Sequence, residues 1–260
     1  MTSTLLAIDI GNTALKAGCY ALESSTQDDA PSFECCRWTA EVALDSPDFS
    51  SLTSKLEPGT RWFVSSVHRP TETKLADWVR DNRPSDTYRL LNFRDVPLSI
   101  DVDFPERVGF DRLATAVAAY RLRRSKSPVI VVDIGTALKV HAVSASGSFL
   151  GGTISPGLKL SARALASETD LLPHVAATTN DQPPPVLGKN TEAAIRSGLY
   201  WGVVGAVRET IERMRRELDG EPELFVTGGD ARGVAKQLGP AATYRADLCL
   251  AGIVCIARQL

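Results

Sequence analysis

Histidine and cysteine are scarce in this chain, and their placement excludes several chemistries. The three histidines, His68, His141 and His174, are scattered, and no serine or cysteine nucleophile motif accompanies them, so neither a hydrolase triad nor a zinc cluster can be read. The five cysteines, Cys19, Cys35, Cys36, Cys249 and Cys255, form no C-x-x-C pair, the pattern of reduced thiols rather than of a disulfide framework. Neither sign of charge dominates: 29 Lys and Arg stand against 31 Asp and Glu, for a formal net charge of -2. A chain without a basic field does not attract a polyphosphate backbone, so nucleic acid is excluded as a partner and any phosphate site must be local. No apolar run reaches the roughly 18 residues of a spanning helix, which excludes a membrane partner. The apolar stretch before Asp9 is short and lacks the basic lead of a signal peptide, so the expected location is cytoplasmic.

What is present is an ordinary globular composition, 43% hydrophobic and 23% charged, over 260 residues. That length accommodates two medium α/β domains, each with a core. Leu5 to Ile10 is a short apolar run ending in Asp9-Ile10-Gly11-Asn12-Thr13, the pattern of a buried strand entering a tight turn, and a second strand follows at Leu15 to Tyr20. Ser24 to Ser32 reads as a hairpin loop, Trp62 to Val67 as another strand, and Thr71 to Asn82 as a helix. After a Pro-punctuated link, Phe110 to Arg123 carries apolar residues at helical spacing, with alanines that permit close packing, and is expected to bridge two halves. Further on, the sequence predicts helices over Leu158 to Glu168, from Asn190-Thr191 to Leu218 and over Leu248 to Gln259, with a strand at Leu224 to Thr227.

The chain also contains its own duplicate. Leu6-Ala-Ile-Asp-Ile-Gly-Asn-Thr-Ala-Leu-Lys16 returns as Val131-Val-Asp-Ile-Gly-Thr-Ala-Leu-Lys139, with one residue fewer in the turn. Two copies half a chain apart suggest two similar domains, 1–117 and 118–260, facing each other across a nucleotide cleft. In each copy glycine lets backbone N–H groups approach an oxyanion, while the carboxylates of Asp9 and Asp133 can hold a hydrated Mg²⁺. A single Asp-x-Gly turn is a common hairpin device; its repetition at the matching place favours phosphate binding. Asp111 falls in the first turn of its helix, where the dipole favours negative charge, either as a simple helix-start charge or as a base for a substrate hydroxyl. Lys16 is either a solvated strand lysine or a phosphate contact, Gly228-Gly229 a bare turn or a close approach to a ligand, and Thr191 part of a helix cap or a substrate contact.

These motifs resemble the actin, sugar-kinase and heat-shock ATPase superfamily, and within it the type III pantothenate kinases. The likeness rests on Asp9-Ile-Gly-Asn-Thr13 with Lys16, Val64-Ser-Ser-Val67, Gly109-Phe-Asp-Arg112, Asp133-Ile-Gly-Thr136, Gly151-Gly-Thr-Ile-Ser-Pro-Gly157, and Asn190-Thr191 ahead of Ser197-Gly-Leu-Tyr-Trp-Gly202. It implies two duplicated actin-like (ribonuclease H-like) α/β domains, ATP and Mg²⁺ as cofactors, pantothenate as substrate, and a homodimer. By the same resemblance Asp111 is the general base. Gly109, Arg112 and Thr191 hold the acceptor. Asp9, Gly11, Asn12, Thr13, Lys16, Gly135, Thr136, Gly228 and Gly229 serve ATP, with Asp9 and Asp133 on cations.

Two positions depart from the family pattern: Val102 replaces a tyrosine of the acceptor pocket, and Leu138-Lys139 replaces two threonines. The resemblance implies a monovalent cation, K⁺ or NH₄⁺, and the ammonium of Lys139 is an alternative to it. The competing functions are phosphorylation of another small hydroxyl compound and a non-catalytic homologue that binds a nucleotide or a protein as a regulator.

Overall fold

The computed structural model describes residues 3–22, 36–45, 47–176 and 182–260. The loop expected at Ser24 to Ser32 lies outside the described residues. The chain divides into two compact units, residues 1–122 with 247–260 and residues 123–246.

In unit 1, β1 (Ser3–Ile10), β2 (Ala14–Leu22), β3 (Cys36–Ala43), β4 (Arg61–Ser66) and β5 (Thr87–Leu90) form a sheet ordered β3-β2-β1-β4-β5. β1 and β2 pair antiparallel, as do β2 and β3, whereas β4 lies parallel to β1 and β5 parallel to β4. Leu5, Leu6, Ala7 and Ile8 are all fully buried, as expected of a central strand covered on both faces. Leu6, Ile8 and Ile10 join Leu52 of α1 (Ser50–Thr53) and Leu75 and Val79 of α2 (Arg69–Asn82) in one apolar cluster. The period-2 alternation then points Leu5, Ala7 and Asp9 to the opposite face. A two-residue strand, β6 (Ser99–Ile100), precedes α3 (Phe110–Leu122).

Unit 2 repeats the topology. β7 (Val129–Ile134), β8 (Ala137–Val143), β9 (Ser148–Pro156), β10 (Glu223–Thr227) and β11 (Ala242–Tyr244) run in the order β9-β8-β7-β10-β11. The first three are antiparallel neighbours and the last two are added in parallel. Ile130, Val132 and Ile134 pack with Tyr200, Val203, Val204 and Val207 of α5 (Thr191–Glu217) and with Val234 and Ala235 of α6 (Arg232–Gln237), which turns Val131 and Asp133 away from that layer. α4 (Leu158–Ser167) contributes Leu158 to the same cluster.

The observed division differs from a boundary at 117/118. α3 stays whole in unit 1, and the last helix, α7 (Leu248–Ala257), returns to that unit instead of closing the second. Packing explains both. α7 is apolar on every side, with Leu248, Ala251, Ile253 and Ile256 fully buried, and a helix of that kind must be enclosed by its unit. At Gly252 it approaches α3 so closely that an added Cβ would lie 1.8 Å from the Ala114 carbonyl oxygen. Gly252→Ala should therefore destabilise unit 1 by about 1–3 kcal/mol, the cost of overpacking against backbone. Urea unfolding followed by the fluorescence of Trp38, Trp62 and Trp78 measures this, and unchanged stability would show that the helix pair yields freely.

Candidate active site

Each unit presents its functional groups at the carboxyl end of its central parallel strands, the customary ligand end of such sheets. In unit 1, Gly11 donates its N–H to the Ala14 carbonyl at 3.0 Å and closes the turn between β1 and β2, leaving Asn12 and Thr13 exposed at the tip. Half-buried Asp9 accepts a hydrogen bond from Ser65 Oγ at 3.2 Å, across the parallel β1–β4 pair in which the two residues are register partners. The Val67 N–H donates to the Ile10 carbonyl at 3.0 Å and extends that pairing past the strand end.

The start of α3 lies at the same strand ends. A Cβ on Gly109 would stand 3.7 Å from Val67 Cγ1 and 2.6 Å from Asp111 Oδ1, so glycine leaves the room into which the Asp111 carboxylate folds back. Asp111 Oδ1 accepts the Arg112 N–H at 2.9 Å, which orients the carboxylate at a helix N-terminus where negative charge is favoured. Burial pulls the Arg112 guanidinium pKa below its ordinary value, and the charge of Asp111 opposes that shift. Gly109, Asp111 and Arg112 therefore form one local unit.

In unit 2 the turn is shorter by one residue. The Gly135 N–H donates to the Ala137 carbonyl at 3.1 Å, two residues on rather than three. Two other backbone segments press on this turn. The Gly157 N–H donates to the Thr136 carbonyl at 3.0 Å, and a Cβ at Gly157 would lie 2.1 Å from the Gly135 carbonyl oxygen. Gly157 is also the N-cap of α4, with no side-chain cap, so the helix start meets the turn backbone to backbone. Gly228 has φ +105°, and its Cβ would lie 2.3 Å from the Ile134 carbonyl oxygen, which instead accepts the Asp230 N–H at 2.9 Å. Gly228 thus serves the packing of its own unit. Gly229 faces open space and is the residue of the pair at which a ligand could approach the backbone.

Across the antiparallel β7–β8 pair Asp133 and Lys139 are register partners, and Lys139 Nζ lies 2.6 Å from Asp133 Oδ2, with both side chains mostly buried. Asp230, 5% exposed at its side chain, takes the more exposed Lys159 at 3.4 Å. Sequence reasoning gave no individual role to Ser65, Gly157 or Asp230. Ser65 and Gly157 stand inside motifs that carry the family likeness, Val64-Ser-Ser-Val67 and Gly151-Gly-Thr-Ile-Ser-Pro-Gly157, whereas Asp230 lies just past Gly228-Gly229 with no signal of its own. Thr191 is exposed at the first position of α5, and the cap is Asn190, whose side chain accepts the Ala193 N–H at 2.8 Å. Tyr200 is core: its hydroxyl donates to the Gly233 carbonyl at 3.0 Å.

Asp9, with its serine partner and the hydroxyl and amide at the turn tip, is a hard oxygen set of low charge. That suits Mg²⁺, which takes one or two carboxylates and completes its shell with water and phosphate. Among the described residues no group of three or more His, Cys, Asp or Glu could hold a metal unaided. Asp133 fits a free cation poorly, because Lys139 already neutralises it.

Two units that share one five-strand order, each with an Asp-x-Gly turn at the end of its central strand, define the duplicated actin-like ATPase fold. The solved structure of the ethanolamine utilization protein EutJ from Carboxydothermus hydrogenoformans shares this fold at TM-score 0.50 and 12% identity, over 99% of this chain and 90% of that one. The chain belongs to the type III pantothenate kinase family, whose model matches residues 5–213. It is 34% identical to the type III pantothenate kinase of Syntrophotalea carbinolica over 258 residues, 96% of either chain. It is 48% identical to that of Rhodopirellula baltica over 145 residues, 55% of this chain and 51% of the other.

The glycine geometry separates tightly packed from open positions. Gly157→Ala and Gly228→Ala should each lower unfolding stability by more than about 1 kcal/mol, while Gly229→Ala stays within about 0.5 kcal/mol of the parent in the same urea titration. Equal losses at all three would remove Gly229 as an open approach.

Proposed function

We propose that this chain transfers the terminal phosphoryl group of ATP to the primary hydroxyl of pantothenate, giving 4'-phosphopantothenate in the first step of coenzyme A biosynthesis. One observation carries the reading: family-wide likeness along almost the whole chain coincides with a carboxylate, Asp111, folded back under Gly109 at the start of α3.

Asp111 accepts the proton of the acceptor hydroxyl as its oxygen bonds to phosphorus and the bond to ADP breaks. The Arg112 N–H holds the carboxylate in place, and the guanidinium, with Gly109 and Thr191, binds the acceptor. Asp9, oriented by Ser65, would hold the Mg²⁺ that accompanies ATP, and the ion would supply neutralisation of phosphate charge. Asn12, Thr13 and Lys16 contact phosphate from the first turn and Thr136 from the second, while Gly11 and Gly135 close those turns. Gly229 admits the adenosine, with Gly228 setting its backbone. Pantothenate as the partner, a cytoplasmic location and a homodimer belong to the same reading. Among the described residues no helix is long and apolar enough to cross a membrane.

A coupled ADP-release assay tests the proposal. The parent chain should turn over with pantothenate, and Asp111→Asn should lower kcat by about 10²–10⁴-fold while calorimetric ATP affinity holds. Equal activity in both proteins would remove Asp111 as the base. Turnover only with another small alcohol would move the acceptor assignment, with Val102 the first residue to revert to tyrosine.

A further inference from the structure

The duplicated turns place a lysine opposite each aspartate. Asp9 and Lys16 are register partners across β1–β2, as Asp133 and Lys139 are across β7–β8. Directly opposed residues of an antiparallel pair share a face, so in each copy an ammonium can reach the carboxylate. Among the described residues, the second pair is the one that closes into an ion pair, at 2.6 Å with 16% and 14% of the side chains exposed. The Asp133 carboxylate also lies beside its own turn: a Cβ built on Gly135 would stand 3.9 Å from Oδ1.

We infer that the Lys139 ammonium is a built-in cation of the second phosphate turn, doing at Asp133 what a free monovalent cation would otherwise do, so that catalysis needs no added K⁺ or NH₄⁺. The argument is one of occupancy and charge. A mostly buried carboxylate requires a counter-charge, and a tethered ammonium in hydrogen-bond contact supplies it without binding entropy. A free ion at the same oxygen would have to displace Nζ and leave that ammonium buried beside it, with like charges in contact. The pair is net neutral, so mobile cation chemistry falls to Asp9. Lys139 acts by fixing Asp133 under the Gly135-Thr136 turn and is a positioning residue.

The inference rests on the kinase reading, and its test separates the two. Parent and Lys139→Thr chains are assayed for ADP release with pantothenate in KCl, NH₄Cl or choline chloride at matched ionic strength. Thermal unfolding is followed in the same salts without substrates. The parent should show equal rates and equal midpoints in all three. Lys139→Thr should lose about tenfold or more in choline chloride and recover most of it in KCl or NH₄Cl. Its midpoint should also rise in KCl by mass action of an ion on the vacated carboxylate, a response that a purely structural lysine would not create. A parent enzyme that turns over pantothenate only with added K⁺ overturns the inference and leaves the function standing; so does a variant as active in choline chloride as the parent. If the parent does not phosphorylate pantothenate, calorimetric ATP affinity in the three salts decides: equal affinity supports the inference, and K⁺-dependent affinity overturns it. The parent arm alone suffices should the variant fail to fold.

Discussion

Alternation along a strand buried on both faces is the constraint from which the rest follows. In β1 the residues that meet α2 are Leu6, Ile8 and Ile10; in β7 those that meet α5 are Ile130, Val132 and Ile134. Asp9 and Asp133 occupy the intervening register, next to last in their strands, so each carboxylate leaves the helix-packed layer and reaches the strand end. A slip of one residue would bury both charges among leucines and isoleucines, a cost no turn could offset. Core and site are therefore fixed by one pattern.

The two copies then diverge in detail. The first turn has a three-residue span and an exposed tip of Asn12 and Thr13; the second is tighter and is braced from outside by Gly157 and Gly228. Bracing of that kind substitutes backbone contact for side-chain packing. The closed Asp133–Lys139 pair adds to the same stiffness. The first turn, held chiefly by its own hydrogen bond and by Ser65, is left as the more open of the two.

Much of this was legible from residues alone, for physical reasons. Strands β1, β2, β4, β7 and β10 are dense apolar runs punctuated by Gly, Asp or Ser, and α2, α3, α4 and α5 carry helical spacing with recognisable starts, so their positions were readable to within a few residues. The duplication is visible because Asp-Ile-Gly and Thr-Ala-Leu-Lys recur in both copies, with Asn12 the one residue missing from the second. What escaped were elements whose stability is borrowed. β3 alternates half-buried and exposed residues with Val42 alone buried, β5 is four mostly exposed residues, and α6 and β11 are too short to show a period. In the site, Gly157 and Asp230 gain their meaning from distant backbone, which no local window contains. Lys139 was noticed as a departure, but its partner could be identified only once the β7–β8 register was known.

The return of α7 to the first unit has a consequence for biosynthesis. Residues 123–246 are contiguous, whereas the first unit is closed by a helix that follows the second in sequence, so its core cannot be completed until the second unit has been synthesised. Until Gly252 nests against Ala114, the sheet that carries Asp9 lacks its covering layer, so an early stop codon that spares every residue assigned to chemistry would still leave a nascent half-domain exposed to chaperones and proteases.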